Sequence, residues 1–336
     1  MNTNKAVAAA VLATAVAAPI VAYEAGGVAG DDAPESIAAW GSPRSGLASL
    51  DGATQWINSP PLTAAALRGK VVVVDFWTYS CINWRRQLPY VRAWADKYRD
   101  QGLVVIGVHT PEFAFEKDLA GIRDATSYMD VRYPVVVDSD YRIWNAFGNQ
   151  YWPALYFIDA KGIVRHTRFG EGEYPESEKV IQKLLAEAGN AAVARDVVAV
   201  QGRGLEAPPD FADLRSAEAY IGSDRRASSV RVSGSWKVEG QFALSTGADA
   251  RISQRFHARD VHLVMGPHDK PVRFRILLDG KPPGADHGDD VDEQGNGTAT
   301  KRALYQLVRQ KGPVRDRTFE IQFLDAGAEA YSFTFG

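Results

Sequence analysis

A run of β-branched and aromatic residues, Val71 to Trp77, limits the possible folds of this chain more than any other segment. A run of this composition is typical of a strand that is buried on both faces of a sheet. A helical pattern from Ile82 to Arg99 follows it, and strand and helix patterns then alternate as far as Ala188. This alternation predicts an α/β domain over residues 45–188, with helices on both faces of its sheet.

The pattern changes after a predicted linker, residues 189–209. Short segments of alternating polar and apolar residues succeed one another from Ser235 to Phe335, separated by turns such as Asp279-Gly280. Many short strands without a helical period predict an all-β sandwich or jelly roll. We therefore predict that residues 210–336 form a second domain, which agrees with a length of 336 residues.

The N-terminal segment carries one basic residue, Lys5, before an alanine-rich apolar run from Ala6 to Tyr23. This arrangement is typical of a secretory signal, and the run is also just long enough to cross a bilayer core. We predict that residues 1–25 are a signal peptide or a membrane anchor, and that residues 26–44 are a flexible tether. The protein would then be exported to the periplasm, either soluble or anchored to the inner membrane.

Composition excludes several classes of function. The net charge is −3 and no basic cluster is interleaved with aromatic residues, so we expect no nucleic-acid partner. The single cysteine excludes an intrachain disulfide and a cysteine-rich zinc site. Asp290-x-Asp292-x-x-Gly295 imitates the start of a calcium loop, but the twelfth position is Lys301, which favours an acidic turn. We expect neither a metal site nor a cofactor.

The one cysteine, Cys81, lies just past the predicted strand and at the start of the predicted helix. The N-terminus of a helix stabilises an anion and lowers the pKa of a thiol, which favours a reactive thiolate. A buried structural cysteine is the alternative interpretation of this position. If Cys81 reacts, it reacts as a monothiol.

The segment from Asp75 to Trp84 resembles the active-site segment of thioredoxins. Asp75 stands where thioredoxins keep a buried carboxylate that moves protons, Pro89 where they kink the helix, and Trp152-Pro153 where a cis-proline lines the thiol. Over residues 45–188 the resemblance is to the TlpA-like subgroup. It implies a thioredoxin-like fold with Cys81 as the nucleophile and with Asp75 and Pro153 at the catalytic site.

A narrower resemblance joins both domains. Trp77-Thr-Tyr-Ser-Cys-Ile-Asn83 and Val108-His-Thr-Pro-Glu-Phe113 are similar to the periplasmic part of the DipZ-type disulfide reductases, and Ile276 to Pro283 resembles their C-terminal sandwich. That group joins a thioredoxin-like domain to a carbohydrate-module-like sandwich. The second cysteine of the family motif is Trp84 here, and without it a mixed disulfide cannot be resolved within the chain.

Two hypotheses about function follow. In the first, Cys81 carries out thiol–disulfide exchange with a protein or small thiol, or reduces a peroxide as a one-cysteine peroxidase, and an external thiol regenerates it. Thr78 stands where peroxiredoxins bind the peroxide, although strand propensity explains it equally well. In the second, the site is redox-inactive, and Trp84, Tyr79 and Trp152 hold a peptide or a carbohydrate on a thioredoxin scaffold.

We also expect the second domain to be docked on the first. Val197 to Val200, inside the linker, form an apolar run that would be costly to expose to water. Trp236 lies in an alternating strand, where its side chain is expected to face the core. A stacking platform for sugar rings at Trp236 is the less favoured alternative.

Overall fold

The computed structural model describes residues 46–50, 53 and 55–336. The predicted signal or anchor (residues 1–25) and the predicted tether (26–44) lie outside the described residues. In the described part of the chain, no helix is both long and apolar enough to cross a membrane.

The first domain is built on a six-stranded sheet with the order β1-β4-β3-β2-β5-β6. Strands β2, β3 and β4 run parallel to one another, whereas β1, β5 and β6 pair antiparallel with their neighbours. The six strands are β1 (Trp56–Ile57), β2 (Val71–Trp77), β3 (Leu103–His109), β4 (Val135–Val137), β5 (Ala154–Ile158) and β6 (Val164–Phe169). Four helices accompany them: α1 (Ile82–Tyr98), α2 (Leu119–Tyr128), α3 (Arg142–Phe147) and α4 (Tyr174–Glu187).

The central strand β2 is buried along its whole length because both faces of the sheet are covered. Val71, Val73 and Trp77 belong to the apolar core that includes residues of α1 and α4. The alternate residues Val72, Val74 and Phe76 belong to the core that includes residues of α3. Alternation of side chains along a strand thus supplies two cores from one run of residues, which confirms the predicted α/β layout.

Local differences from the sequence prediction have simple causes. The helical pattern that follows β3 forms a short 3₁₀ turn and then α2, because the Asp118 carboxylate accepts a hydrogen bond from the Gly121 amide at 2.9 Å and starts a new helix there. Helix α3 was not predicted, since six residues are too few to show a helical period.

The second domain contains two antiparallel sheets packed around one core, which confirms the predicted β-sandwich. One sheet has the order β15-β12-β17-β10-β9, with β7 also paired to β17, and the other has the order β14-β13-β16-β11-β8. The strands are β7 (Ala219–Tyr220), β8 (Arg231–Ser233), β9 (Trp236–Val238), β10 (Ala243–Ser245), β11 (Arg251–Phe256), β12 (Asp260–Pro267), β13 (Val272–Leu278), β14 (Asn296–Ala299), β15 (Ala303–Arg309), β16 (Arg317–Phe323) and β17 (Ala328–Phe335).

Trp236 is partly buried against the core of the sandwich, as expected. Its ring meets Phe323 edge-on at 5.7 Å, and its Nε1 donates a hydrogen bond to the Ser233 carbonyl at 2.9 Å. Both ends of the indole are therefore engaged within the domain.

The sandwich is docked on the first domain through β12 and β17. Strand β11 alternates between buried and exposed residues, whereas almost every residue of β12 is buried. The outward face of β12 is covered because Val264 packs in an apolar cluster with Ile82 and Phe113 of the first domain. In the linker, Val198 packs against the core of the first domain, and its amide donates to Glu178 Oε2 at 2.8 Å. The described residues of the two domains belong to one compact unit.

Candidate functional site at Cys81

Cys81 is the residue that caps the N-terminus of α1, four positions after β2 ends. Its carbonyl accepts the first helical hydrogen bond, from the Arg85 amide at 3.0 Å. The side chain is partly buried and lines a cavity of about 230 Å³. Strand β2 pairs with β3 on one side and with β5 on the other, so the sheet holds the strand end that leads to Cys81.

Burial raises the pKa of the Cys81 thiol well above its ordinary value. Backbone hydrogen bonds from Trp84 and Asn83 favour the thiolate, as expected at a helix N-terminus, but they are outweighed by desolvation. The negative charges of Glu112 and Glu218 raise the pKa further. The expectation of a lowered pKa is therefore wrong: in this site burial and neighbouring carboxylates oppose the helix terminus and prevail.

The cis-proline expected from the sequence is present. The Trp152–Pro153 peptide bond is cis and immediately precedes β5. Trp152 lines the same cavity as Cys81, as the predicted substrate-contacting role requires, and its indole Nε1 donates to the Thr110 carbonyl at 2.9 Å. Its ring also packs on Trp144 with a centroid distance of 4.1 Å, so Trp144 supports this wall of the cavity.

Asp75 is completely buried beneath the site. Its carboxylate accepts hydrogen bonds from Trp84 Nε1 at 2.9 Å and from Gln87 Nε2 at 3.0 Å, and the Tyr133 hydroxyl lies 3.4 Å away. Desolvation raises the pKa of Asp75 to about 7, although these three hydrogen bonds oppose the shift. The carboxyl group can therefore exchange a proton near neutral pH, as expected for a proton-moving residue.

Trp84 occupies the position of the missing second cysteine and is also completely buried. Its ring stacks on Trp77 with a centroid distance of 4.2 Å. The expectation that Trp84 contacts a substrate is wrong, because the ring presents no surface. Instead, Trp84 fills the core and donates a hydrogen bond to the buried carboxylate of Asp75.

Thr78 and Tyr79 do not line the cavity at Cys81. The side chain of Thr78 is fully buried, and its hydroxyl lies 3.4 Å from Nε2 of His109. Because the hydroxyl is buried and faces His109, the prediction that Thr78 binds a peroxide is wrong. Tyr79 stacks on the imidazole of His109 at 5.5 Å and faces a different groove, so it does not share a ligand with Trp152.

A buried glutamate, Glu116, organises the turn that precedes Cys81. It accepts hydrogen bonds from the Ser80 hydroxyl at 2.5 Å and from the amides of Glu112 and Phe113 at 2.6 and 2.9 Å. Burial raises the pKa of Glu116 to about 7. No sequence pattern marks Glu116, although it lies three residues past Phe113, where the segment that resembles the DipZ-type reductases ends.

The second domain supplies the opposite wall of the Cys81 cavity. Glu218, Tyr220 and Arg225 line it, and so do residues of β12 and β17. The Tyr220 hydroxyl donates to Glu112 Oε1 at 2.6 Å, Arg225 pairs with the same oxygen at 3.2 Å, and the Arg225 guanidinium lies 3.7 Å from the Tyr220 ring centre. Burial removes water from the carboxyl group of Glu218, and together with the negative charge of Glu112 this raises its pKa to about 8.

No signal in the sequence could have found these wall residues, since more than 100 positions separate Tyr220 from Glu112. The site therefore offers the thiol of Cys81, the carboxyl group of Glu218 with a pKa of about 8, and a small cavity to which the second domain supplies one wall.

In the part of the chain that the structure describes, no three His, Cys, Asp or Glu residues are grouped so that they could hold a metal ion. At the expected acidic turn, Asp292 Oδ1 accepts from the Asn296 amide at 2.7 Å.

Comparisons with known proteins match both domains. Residues 53–167 match the AhpC/TSA family, and residues 208–336 match the family described as thioredoxin like C-terminal domain. The chain is 36% identical over 261 residues to Protein DipZ of Mycobacterium bovis, an alignment that covers 69% of this chain and 36% of DipZ. The chain thus spans little more than a third of the length of that relative.

Two further comparisons concern the first domain. The chain is 33% identical over 144 residues to the thiol-disulfide oxidoreductase YkuV of Bacillus subtilis, which covers 43% of this chain and 97% of YkuV. A solution structure of a thioredoxin-like protein in the oxidized form matches with 34% identity and a TM-score of 0.40, covering 43% of this chain and 97% of that structure.

Proposed function

The chain belongs to the thioredoxin-like family of thiol-disulfide oxidoreductases, and from this premise we propose that it is an exported monothiol redox protein in which Cys81 is the reacting group. The observation that carries the proposal is the placement of the one cysteine at the N-terminus of α1, in a cavity walled by Trp152 beside the cis-proline Pro153. Export rests on the N-terminal segment, Lys5 followed by the apolar run from Ala6 to Tyr23.

In the proposed reaction, the Cys81 thiolate attacks one sulfur of a disulfide RSSR. A Cys81–S–S–R bond forms, the S–S bond of the substrate breaks, and RS⁻ leaves. Trp84 cannot resolve this mixed disulfide, so an external thiol R′SH attacks it, releases RSSR′ and restores the Cys81 thiol after proton transfer. With a peroxide ROOH, Cys81 becomes a sulfenic acid and ROH leaves; two external thiols then reduce it, releasing water and one disulfide.

The cavity favours small molecules as partners of Cys81. Its volume of about 230 Å³ lies below the usual range for drug-sized ligands. Tyr220 and Arg225 close it from the side of the second domain and are tied to Glu112 across the interface. A small thiol, a small disulfide or a peroxide matches the volume of this space better than the extended strand of a protein disulfide does.

The raised pKa of Cys81 favours the alternative candidate, a redox-inactive protein that binds a peptide or a carbohydrate. A thiol that stays protonated at neutral pH is a weak nucleophile. Two features nevertheless favour the redox proposal. Asp75 is buried under the site, where the family resemblance places a carboxylate, and Cys81 is one of the residues that line the cavity.

The test is the capture of a small disulfide on Cys81. The full chain is incubated with hydroxyethyl disulfide, and separately with hydrogen peroxide, and the products are measured by intact mass over a range of pH. We expect one adduct at Cys81, slow at neutral pH and faster as the thiol ionises at higher pH, and none in Cys81→Ser. The chain unfolded in urea is the matched control for an unhindered thiol.

If the folded chain gives no adduct at any pH at which the unfolded chain reacts completely, the redox proposal is wrong and the binding alternative stands. A rate that already reaches its plateau below neutral pH would refute the raised pKa of Cys81 instead.

A further inference from the structure

A second and larger groove, of about 800 Å³, lies between the two domains. The first domain contributes Tyr79, Arg85 and Tyr128 to it, and the second contributes Lys301 and Leu304. It shares no lining residue with the cavity at Cys81. Whatever it binds is therefore recognised separately from the reaction proposed above.

Arg85 lies on α1 at the inner surface of this groove and is only 8% exposed. In the described part of the chain its side chain makes no hydrogen bond and no ion pair, and its Nε is buried without a partner. Its neighbours on the same helix are different: Arg86 pairs with Glu171 at 3.1 Å and Arg92 with Glu206 at 2.7 Å. Among the described residues, Arg85 is thus unpaired, whereas the two arginines that follow it on α1 are paired.

A buried charge without a partner is costly, because it has lost its hydration and gained no compensating interaction. Deprotonation offers no relief, since arginine keeps its charge in proteins. The carboxylates whose charge acts on Arg85 are already engaged. Glu206 is paired with Arg92, and Asp290 Oδ2 accepts a hydrogen bond from the Gln306 amide at 2.7 Å.

We propose that the groove is a binding site for a small molecule that carries an oxyanion, a carboxylate or a phosphate, and that Arg85 is the residue that binds this group. The planar guanidinium presents two parallel N–H donors, which match the oxygens of either group. The anion supplies the partner that Arg85 lacks among the described residues.

The rest of the groove suits a ligand of this kind. Lys301 provides a second positive charge at the rim, 5.1 Å from the ring centre of Tyr128. Phe115 and Tyr79 form an aromatic wall against which the body of the ligand can pack. Four carboxylates also line the groove, but all four residues are exposed, so water screens their repulsion of an anion: Asp118, Asp124, Asp269 and Asp290.

The experiment titrates the full chain with inorganic phosphate in one arm and with acetate in the other, following thermal unfolding and binding heat. We expect at least one anion to raise the unfolding temperature of the wild type. In Arg85→Gln its affinity should fall by about tenfold or more. Arg123→Gln, an exposed position on α2 outside the groove, is the matched control and should bind as the wild type does.

The unliganded variant provides a second readout. Because Arg85→Gln removes an uncompensated buried charge, we expect it to unfold at the same temperature as the wild type or higher. If the variant does not fold, the wild type is modified with phenylglyoxal instead. Phosphate or acetate should then protect Arg85 from modification. Peptide mass mapping would locate the modification.

The outcomes distinguish a phosphate-bearing ligand from a carboxylate, and they test this proposal separately from the redox proposal. Binding of phosphate alone identifies a phosphate-bearing ligand, and binding of acetate alone identifies a carboxylate. Equal binding by wild type and Arg85→Gln, or no binding and no protection with either anion, overturns the proposal. Cys81→Ser should bind the anion normally, so failure of the redox proposal would not affect this result.

Discussion

Replacing the buried carboxylate of Asp75 with an amide should make the protein more stable at alkaline pH. The pKa of Asp75 is about 7 in the folded protein against 3.8 for an ordinary aspartate. Between these two values the folded protein keeps a proton that the unfolded chain releases. Stability therefore falls as the pH rises through this window and stays low above it.

At 1.36 kcal/mol per pKa unit, burial of Asp75 costs roughly 4 kcal/mol of unfolding free energy once the pH exceeds the folded pKa. Asp75→Asn removes that cost and keeps the shape of the side chain. The amide oxygen can still accept from Trp84 Nε1. The amide nitrogen can donate to Gln87 Oε1, which is buried without a partner in the wild type, once the Gln87 amide turns over.

The assay is urea unfolding of wild type and Asp75→Asn at about pH 5 and about pH 8.5. Glu116 also has a pKa near 7, so the useful quantity is the difference between variant and wild type at each pH. We expect that difference to move in favour of the variant by roughly 2.5 kcal/mol between the two conditions. Asp100→Asn, at an exposed position, is the control and should show no such change. A difference for Asp75→Asn that is the same at both pH values would refute a raised pKa for Asp75.

Two other substitutions test the site at Cys81 and the docking of the second domain beside it. Trp84→Cys should lose about 3–5 kcal/mol of stability when reduced, because a large buried ring is removed. On oxidation it should form a disulfide with Cys81 and gain dithiol reductase activity; two free thiols after oxidation would contradict this placement of the helix start. Val264→Glu should loosen the docked sandwich and speed the reaction of Cys81 with a bulky maleimide by roughly tenfold, the factor given by 1.4 kcal/mol of lost docking energy. Val238→Glu, at an exposed position of β9, is its control, and an unchanged rate in Val264→Glu would show that the sandwich does not cover Cys81.

The local elements of both domains could be predicted from the sequence. Strand β2 and the start of α1 follow from a β-branched run and a helical period, and these patterns depend only on which side chains share a face. The positions of Cys81, Asp75 and Pro153 relative to these elements follow in turn, because each is adjacent to a strongly patterned segment. The alternating strands of the sandwich were predictable for the same reason.

The chemistry of the site was decided by tertiary structure. The helix terminus alone predicts a reactive thiolate at Cys81, but burial and the carboxylates of Glu112 and Glu218 reverse the direction of the shift in its pKa. Trp84 looks like a substrate-binding aromatic residue in the sequence, and only packing shows that it fills the core and holds Asp75.

The two cavities depend on the docking of the domains and have no counterpart in local sequence. At the Cys81 cavity, Glu112 is hydrogen-bonded to Tyr220 of the second domain. The groove brings Arg85 and Lys301 into one lining. Each of these pairs is separated by more than 100 residues. Sequence periodicity determines which face of an element is buried. Desolvation and pairing of a charge depend on what is packed against that face, and this is fixed only when distant elements meet.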